Sequence, residues 1–492
     1  RPDGAVPLTS LPAAPVANPL SLRRPGRQIA AAVVVGALVL AALAPGELSL
    51  PVGPVANAHG ARPNVVLIVT DDQRADTLAG MTKVNTLLAD KGVRFANGMV
   101  PTSLCCPSRS TILTGLYAHH TRVFGNGDVG GARFGGWAQF HRRGMEYRTI
   151  ATALADRGYR TGFFGKYLND FSRLSPDGYT PPGWDVFTAF KYSRGAYFGY
   201  RLTDGTYHGI SPRDYSTDVL ARRSTRFVRN TPDDQPLFLM FAPYGPHSPY
   251  IPAPRDLGRV AAMPTALAPA MVTTGHPADP LDTLPRWQRG RQAAPGDAEA
   301  TWRGQTATLL AVDDAVASVV RTLRREGRER DTLFVFMSDN GYLWGEHGIV
   351  GKDNPYDGAA RVPLVVRWDG HSPAGVVDDR LALNVDIAGT IAAATGASMR
   401  TDGLDLLGAS TRQGFPLEAM AGYRHRPAYC GWRTADHMYV RYATGRTELY
   451  DYRTDPYEQH NLAGDPAVAD LQTQMRGQAT THCNPQPPGF DW

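Results

Sequence analysis

Three runs of apolar, largely β-branched residues constrain the fold most, because each reads as a strand buried on both faces and each leads into polar residues. The first, Asn64 to Thr70, is followed directly by Asp71-Asp72. The second, Pro236 to Phe241, leads into Pro246-His247-Ser248-Pro249, and the third, Thr332 to Ser338, ends on Asp339-Asn340-Gly341. A strand with one wet face alternates polar and apolar residues, whereas an unbroken apolar run needs cover on both sides. Helical patterns at Tyr147 to Arg157, Asp214 to Asn230 and Thr301 to Glu326 supply that cover. The alternation predicts an α/β sheet with helices on both faces. Ligands of such sheets bind beyond the carboxyl ends of the strands, which is where Asp71, Asp72, His247, Asp339 and Asn340 fall.

A single core stops growing at roughly 250 to 300 residues, so a chain of 492 has room for one large domain and a smaller one. From Leu417 the pattern changes to short alternating segments, Met438 to Tyr442 and Glu448 to Tyr452, followed by a helix over Pro466 to Thr480. This predicts a small antiparallel C-terminal subdomain over 417–492, after a large α/β domain over 61–416 and a leader over 1–60. Pro252 to Pro295 is rich in Pro, Ala and Gly and reads as a long surface loop.

In the leader, Arg23-Arg24-Pro25-Gly26-Arg27 precedes the apolar run Ile29 to Ala44 and then Pro45-Gly46. A basic stretch, an apolar stretch and small residues make a signal peptide, and the run falls short of the about 20 residues of a spanning helix. Cleavage at Ala42-Leu43-Ala44 or Ala56-Asn57-Ala58 and retention as an N-terminal membrane anchor are both compatible with it, and the twin arginine with a Tat signal. The expected location is exported: secreted, or cell-surface or periplasmic. A net charge of +5, with few basic runs beyond the leader, gives no basis for a nucleic-acid partner. Of the four cysteines, Cys105 and Cys106 are adjacent and poorly placed to pair with each other. Cys430 and Cys483 remain, and in an oxidising compartment they are expected to form a disulfide.

Cys105-Cys106-Pro107-Ser108-Arg109, continuing to Leu113-Thr114-Gly115, is the most specific string in the chain. It fits C-x-P-S-R-x-x-x-x-T-G and resembles the sulfatase family. The resemblance implies an alkaline phosphatase-like fold, with a large central mixed sheet flanked by helices and a small antiparallel subdomain at the C-terminus. It also implies that a formylglycine-generating enzyme oxidises Cys105 to formylglycine, whose hydrated aldehyde is the nucleophile. The modification has a chemical reason. A serine sulfated by its substrate would be left as a stable alkyl sulfate, whereas a gem-diol has a second hydroxyl whose deprotonation expels sulfate and restores the aldehyde.

Asp71-Asp72 and Asp339-Asn340 form a hard-oxygen set suited to Ca²⁺ or Mg²⁺ rather than zinc. By resemblance these four and the residue at Cys105 hold one ion, usually Ca²⁺. The same resemblance has Arg109 hold the gem-diol and Lys166 and Lys352 bind sulfate oxygens, while His247 or Lys352 protonates the leaving oxygen. Many sulfatases carry a further histidine two residues after the Lys166 position, the base that deprotonates the intermediate; here Leu168 stands there, which leaves His119, His120 and His347 as candidates for that base and Asn169 as a residue that orients the hydroxyl without taking a proton. Gly165-Lys166-Tyr167-Leu168-Asn169 and Pro181-Pro182-Gly183-Trp184 are most similar to the N-acetylglucosamine-6-sulfatase branch, which includes the heparan 6-O-endosulfatases. The implied substrate is a sulfated small molecule or glycan. Alternatives are a broad arylsulfatase, a phosphate or phosphonate monoester hydrolase of the same superfamily, and an inactive sugar-binding relative.

Overall fold

A computed structural model describes residues 62–127, 134–192, 197–262, 296–422 and 426–492. The predicted signal or anchor segment and most of the Pro252 to Pro295 loop lie outside them. Among the described residues no helix is long and apolar enough to cross a membrane.

Ten strands form the main sheet: β1 (Asn64–Thr70), β2 (Val93–Met99), β3 (Arg160–Gly165), β4 (Val186–Lys191), β5 (Tyr200–Leu202), β6 (Tyr207–His208), β7 (Leu237–Ala242), β8 (Thr332–Ser338) and, after a two-stranded ribbon of β9 (Leu343–Trp344) and β10 (Val350–Gly351), β11 (Leu364–Trp368) and β12 (Val376–Leu383). Their order is β12-β2-β11-β8-β1-β7-β3-β4-β5-β6. The central run β8-β1-β7-β3-β4 is parallel, and β11 lies antiparallel to both β8 and β2. The sheet is therefore mixed, as the resemblance implied.

The three apolar runs are three adjacent central strands, and the reason is visible in β1. Val65, Leu67 and Val69 join one core, with Ile112, Leu113, Ile150, Leu154, Ile387 and Ile391. Val66 and Ile68 join the opposite one, with Leu220, Phe227, Leu309, Val312, Val316 and Val320. Successive strand residues face opposite sides, so a strand sandwiched between two helical layers must be apolar at every position.

Helices α1 (Cys105–Thr114), α2 (Ile150–Asp156) and α5 (Asp386–Thr395) cover the first face, and α3 (Ser216–Arg229) and α4 (Asp297–Arg325) the second. The single helix expected over Tyr147 to Arg157 is divided. A 3₁₀ turn, Met145–Arg148, precedes α2, because Thr149 is extended and its side chain caps the Thr152 N–H.

The C-terminal sheet has β13 (Phe415–Ala419), β14 (Tyr429–Arg433), β15 (His437–Tyr442) and β16 (Thr447–Asp451) in that order, all antiparallel. Helix α6 (Ala469–His482) packs Met475 and Ala479 on Trp432, Tyr439 and Leu449. That core is small. The disulfide Cys430–Cys483, expected from the cysteine count, joins β14 to the residue that ends α6.

Candidate active site

Strand order explains why residues far apart in sequence meet. β8, β1, β7 and β3 are consecutive parallel neighbours, so Asp339-Asn340, Asp71-Asp72, His247 and Lys166 all emerge at one edge. Thr70 pairs with Ser338, which sets the two acidic pairs side by side. Asp72 turns the chain with φ 70°, in the left-handed region that Asp tolerates better than most residues. Its N–H donates to Asp339 Oδ1 at 3.1 Å, and its Oδ1 accepts from Asn340 Nδ2 at 2.8 Å. Gly165 has φ 132° and lies so close to β7 that a Cβ would stand 1.8 Å from the Ala242 carbonyl oxygen. Only glycine permits that approach, and Lys166 is aimed by the turn it makes.

Cys105 opens α1, fully buried, with Sγ 3.5 Å from Asp71 Oδ1, 3.9 Å from Asp72 Oδ1 and 2.7 Å from Lys352 Nζ. Arg109 follows one helical turn later and so lies on the same face. Its Nε donates to Asp339 Oδ2 and its Nη1 to the Lys166 carbonyl, both at 2.7 Å, while the buried Nη2 has no hydrogen-bond partner among the described residues. Gly115 ends the motif with φ 66° as the helix cap, where a Cβ would meet Thr401 Oγ1 at 2.4 Å. The terminal T-G of the string thus terminates the helix that presents Cys105.

Lys166 Nζ bonds Asp71 Oδ2 at 2.6 Å, and Lys352 Nζ bonds Asp72 Oδ1. The loop that carries Lys352 is tied to the residues ahead of Cys105, with the Asp353 N–H on the Ser103 carbonyl and the Asn354 N–H on Ser103 Oγ. His247 Nδ1 donates to the Ser248 carbonyl at 2.8 Å, and Nε2 lies 3.8 Å from Asp72 Oδ2. A carbonyl only accepts, so Nδ1 carries hydrogen and Nε2 is the atom that faces the carboxylates.

Three carboxylates thus face Arg109, Lys166 and Lys352 in a buried cluster. Burial opposes ionisation of Asp71, but Lys166, His247 and Arg109 together hold it well below the usual carboxylate range. Asp72 is lowered by Lys352 and His247 against the same burial. Burial also opposes charge on both lysines, yet the facing carboxylates raise Lys166 and Lys352. Burial pushes the Cys105 thiol up to about 12 despite both lysines, so as an unmodified thiol it is almost entirely protonated near neutral pH.

The residues fit a hard cation. One donor atom from each of Asp71, Asp72, Cys105 and His247 lies within 4.8 Å of the others, and Asn340 Oδ1 is buried beside them with no partner among the described residues. A buried acceptor left without a donor is costly, and a cation satisfies it. A cavity of about 540 Å³ opens onto Asp72, His247 and Lys352.

The three histidines that are candidates for the base are held elsewhere. His119 is buried against Glu418 at 3.0 Å, His120 bonds Asp402 at 2.6 Å, and His347 faces Glu458 at 3.3 Å and stacks on Tyr356. Leu168 lies in the core, and Asn169 has a buried Oδ1 without a partner among the described residues. Asn126, Tyr342 and Met420 line the cavity and were not singled out from sequence, since nothing local marks them.

Known proteins resemble this chain in sequence and in fold. Residues 63–397 match the family described as Sulfatase, and residues 345–484 match N-sulphoglucosamine sulphohydrolase, C-terminal. The chain is 33% identical to the Homo sapiens N-acetylglucosamine-6-sulfatase over 70% of its own length and 64% of that protein. It is 32% identical to the Drosophila melanogaster extracellular sulfatase SULF-1 homolog over 68% of its length and 30% of that protein. The chain therefore spans less than two thirds of these relatives. A solved structure of a protein in complex with its substrate D-glucosamine-2-N,6-O-disulfate superposes with a TM-score of 0.69 at 22% identity, covering 86% of this chain and 98% of that one. The shared fold is the alkaline phosphatase-like one.

Proposed function

The chain belongs to the sulfatase family, and on that premise we propose that it is a sulfuric ester hydrolase acting on a sulfated sugar such as N-acetylglucosamine 6-sulfate. The observation that carries this is Cys105, buried at the start of α1 among three carboxylates and three cations, with a cavity opening beside it. A thiol so strongly protonated is a poor nucleophile, which favours a nucleophile other than the thiol itself, the formylglycine that a formylglycine-generating enzyme makes from Cys105. The identity of the human relative favours the glucosamine substrate.

Asp71, Asp72, Asp339, Asn340 and the residue at 105 would hold one divalent cation, Ca²⁺ or Mg²⁺. The hydrated aldehyde supplies a nucleophilic hydroxyl and the cation supplies positive charge against the sulfate oxygens. The rest is done by side chains of this chain. Arg109 orients the side chain at 105 and offsets Asp339, to which its Nε is bonded. Lys166 and Lys352 bind sulfate oxygens, where preorganised positive charge lowers the barrier most. His247, its Nδ1 occupied by the Ser248 carbonyl, holds a proton at Nε2 and delivers it to the leaving sugar oxygen. The division into a catalytic domain over 61–416 and a C-terminal subdomain over 417–492 belongs to the same proposal. So does export, which the extracellular fly relative favours.

Peptide mass spectrometry and a substrate panel test it together. Active protein is expected to carry an aldehyde at Cys105 and a thiol at Cys106, and to prefer N-acetylglucosamine 6-sulfate over an aryl sulfate and a phosphate monoester. Activity surviving Cys105→Ala, or a preference for the phosphate ester, would overturn the reading.

A further inference from the structure

Asn126 takes no part in the cluster of charges, yet it touches the residue beside Cys105 and also opens onto the cavity. Its Oδ1 accepts from the Cys106 backbone N–H at 2.9 Å. That N–H can pair only with the amide oxygen, so the bond settles which way the amide faces and leaves Nδ2 as the remaining group. Among the described residues Nδ2 donates to no protein atom, and it is not sealed from solvent.

The backbone around Asn126 is held firmly. Phe124 N–H donates to the Phe134 carbonyl at 2.8 Å and Gly136 N–H to the Gly125 carbonyl at 2.9 Å. Gly127 packs so closely on Asp170 that a Cβ would stand 2.5 Å from its Oδ2. A free donor on a held backbone, fixed at its own oxygen, is preorganised for an acceptor and gives up little rotamer entropy on binding it.

The acceptor can be identified by elimination. Lys166 and Lys352 already provide for the sulfate, and Asn126 shares the cavity with Asp72, His247 and Lys352. What extends past Asn126 from a bound sulfate is the group the sulfate esterifies. A sugar carries hydroxyl, ring and acyl oxygens there, whereas an aryl ring carries none. We propose that Asn126 is a substrate-binding residue, donating from Nδ2 to an acceptor oxygen on the sugar that bears the sulfate, and that it separates sugar sulfates from aryl sulfates. The inference rests on the sulfatase reading above.

Calorimetry on protein expressed without the formylglycine-generating enzyme tests it, because Cys105 then stays a thiol and binding is read without turnover. The probes are N-acetylglucosamine 6-sulfate and inorganic sulfate, in calcium buffer, on the parent and on Asn126→Ala. Leaving one polar group unpaired costs enough that sugar sulfate affinity is expected to fall by about 5- to 100-fold. Inorganic sulfate, which does not reach Nδ2, should change by less than about threefold. Equal losses on both probes would mean that Asn126 only holds the Cys106 N–H, and overturn the inference. So would unchanged binding of both, or a parent that binds sulfate but no sugar sulfate. If Asn126→Ala does not fold, Asn126→Asp keeps the acceptor for Cys106. Its added charge repels both anions alike, so the excess loss on the sugar should persist. Failure of the modified enzyme to hydrolyse any sulfate ester, with the binding difference intact, would refute the hydrolase reading alone.

Discussion

Removing the Cys430–Cys483 crosslink by Cys483→Ala should selectively loosen the C-terminal sheet and α6. The two cysteines are separated by 53 residues, and β15, β16 and α6 all lie within the loop they close. Closing a loop of that length takes about 14 cal/mol/K from the disordered chain, or about 4 kcal/mol at 25 °C in the chain-entropy account. The native contacts that would resist opening are few, since the buried cluster between α6 and the sheet has five residues, two of them Met475 and Ala479 of α6 itself. Both cysteines are fully buried, so the substitution also removes some packing, which adds to the entropic figure. Each 1.36 kcal/mol is a factor of ten, so amides of β15, β16 and α6 that exchange by opening of the whole segment should exchange about 10³-fold faster. Amides of β1 and β8, outside the loop, should keep their protection. Native-state hydrogen exchange followed by mass spectrometry, on parent and variant under non-reducing conditions, reads both. Acceleration below about tenfold in all three elements would refute the argument that loop closure stabilises this segment. Equal acceleration in β1 and β8 would show that the crosslink stabilises the whole fold rather than one part of it.

Lys352→Ala removes the ammonium that contacts both Asp72 and Cys105, and kcat/KM should fall by about 10² to 10³ with the sugar sulfate. A fall under tenfold would remove Lys352 from the sulfate-binding set. The parent is expected to bind one calcium per chain by calorimetry, and Asp339→Ala should abolish that binding, because Asp339 both faces the site and bonds the Asp72 N–H and Arg109. Retained binding would exclude it as a ligand. Burial opposes charge on His119, but Glu418 outweighs it and raises the imidazole above its ordinary 6.5. A raised value stabilises the fold fully below 6.5 and loses that contribution as pH climbs through the folded-state value. The stability difference between parent and His119→Gln, from denaturant midpoints, should therefore be widest in mild acid and narrow toward alkaline pH. A gap that widens with pH would contradict it.

Much of the site is legible in the chain because its signals are local. An apolar run closing on Asp71-Asp72 or Asp339-Asn340 states both that a strand is buried and that its carboxyl end is polar, whatever surrounds it. The C-x-P-S-R-x-x-x-x-T-G string sets Cys105 and Arg109 one helical turn apart and supplies the Gly115 stop, all within one helix. Even the Cys430–Cys483 pair follows from the count of cysteines once Cys105 and Cys106 are set aside. What no local signal carries is which distant groups meet. His119, His120 and His347 were open as bases until Glu418, Asp402 and Glu458, 299, 282 and 111 residues away in sequence, were found holding them. Asn126 gains its meaning only from the Cys106 N–H it caps and the cavity it borders. The antiparallel β11 between β2 and β8 is likewise a product of strand order, which side-chain periodicity does not encode. Periodicity and motif record what each residue needs from its immediate surroundings; the packing of the whole chain decides which partner meets that need.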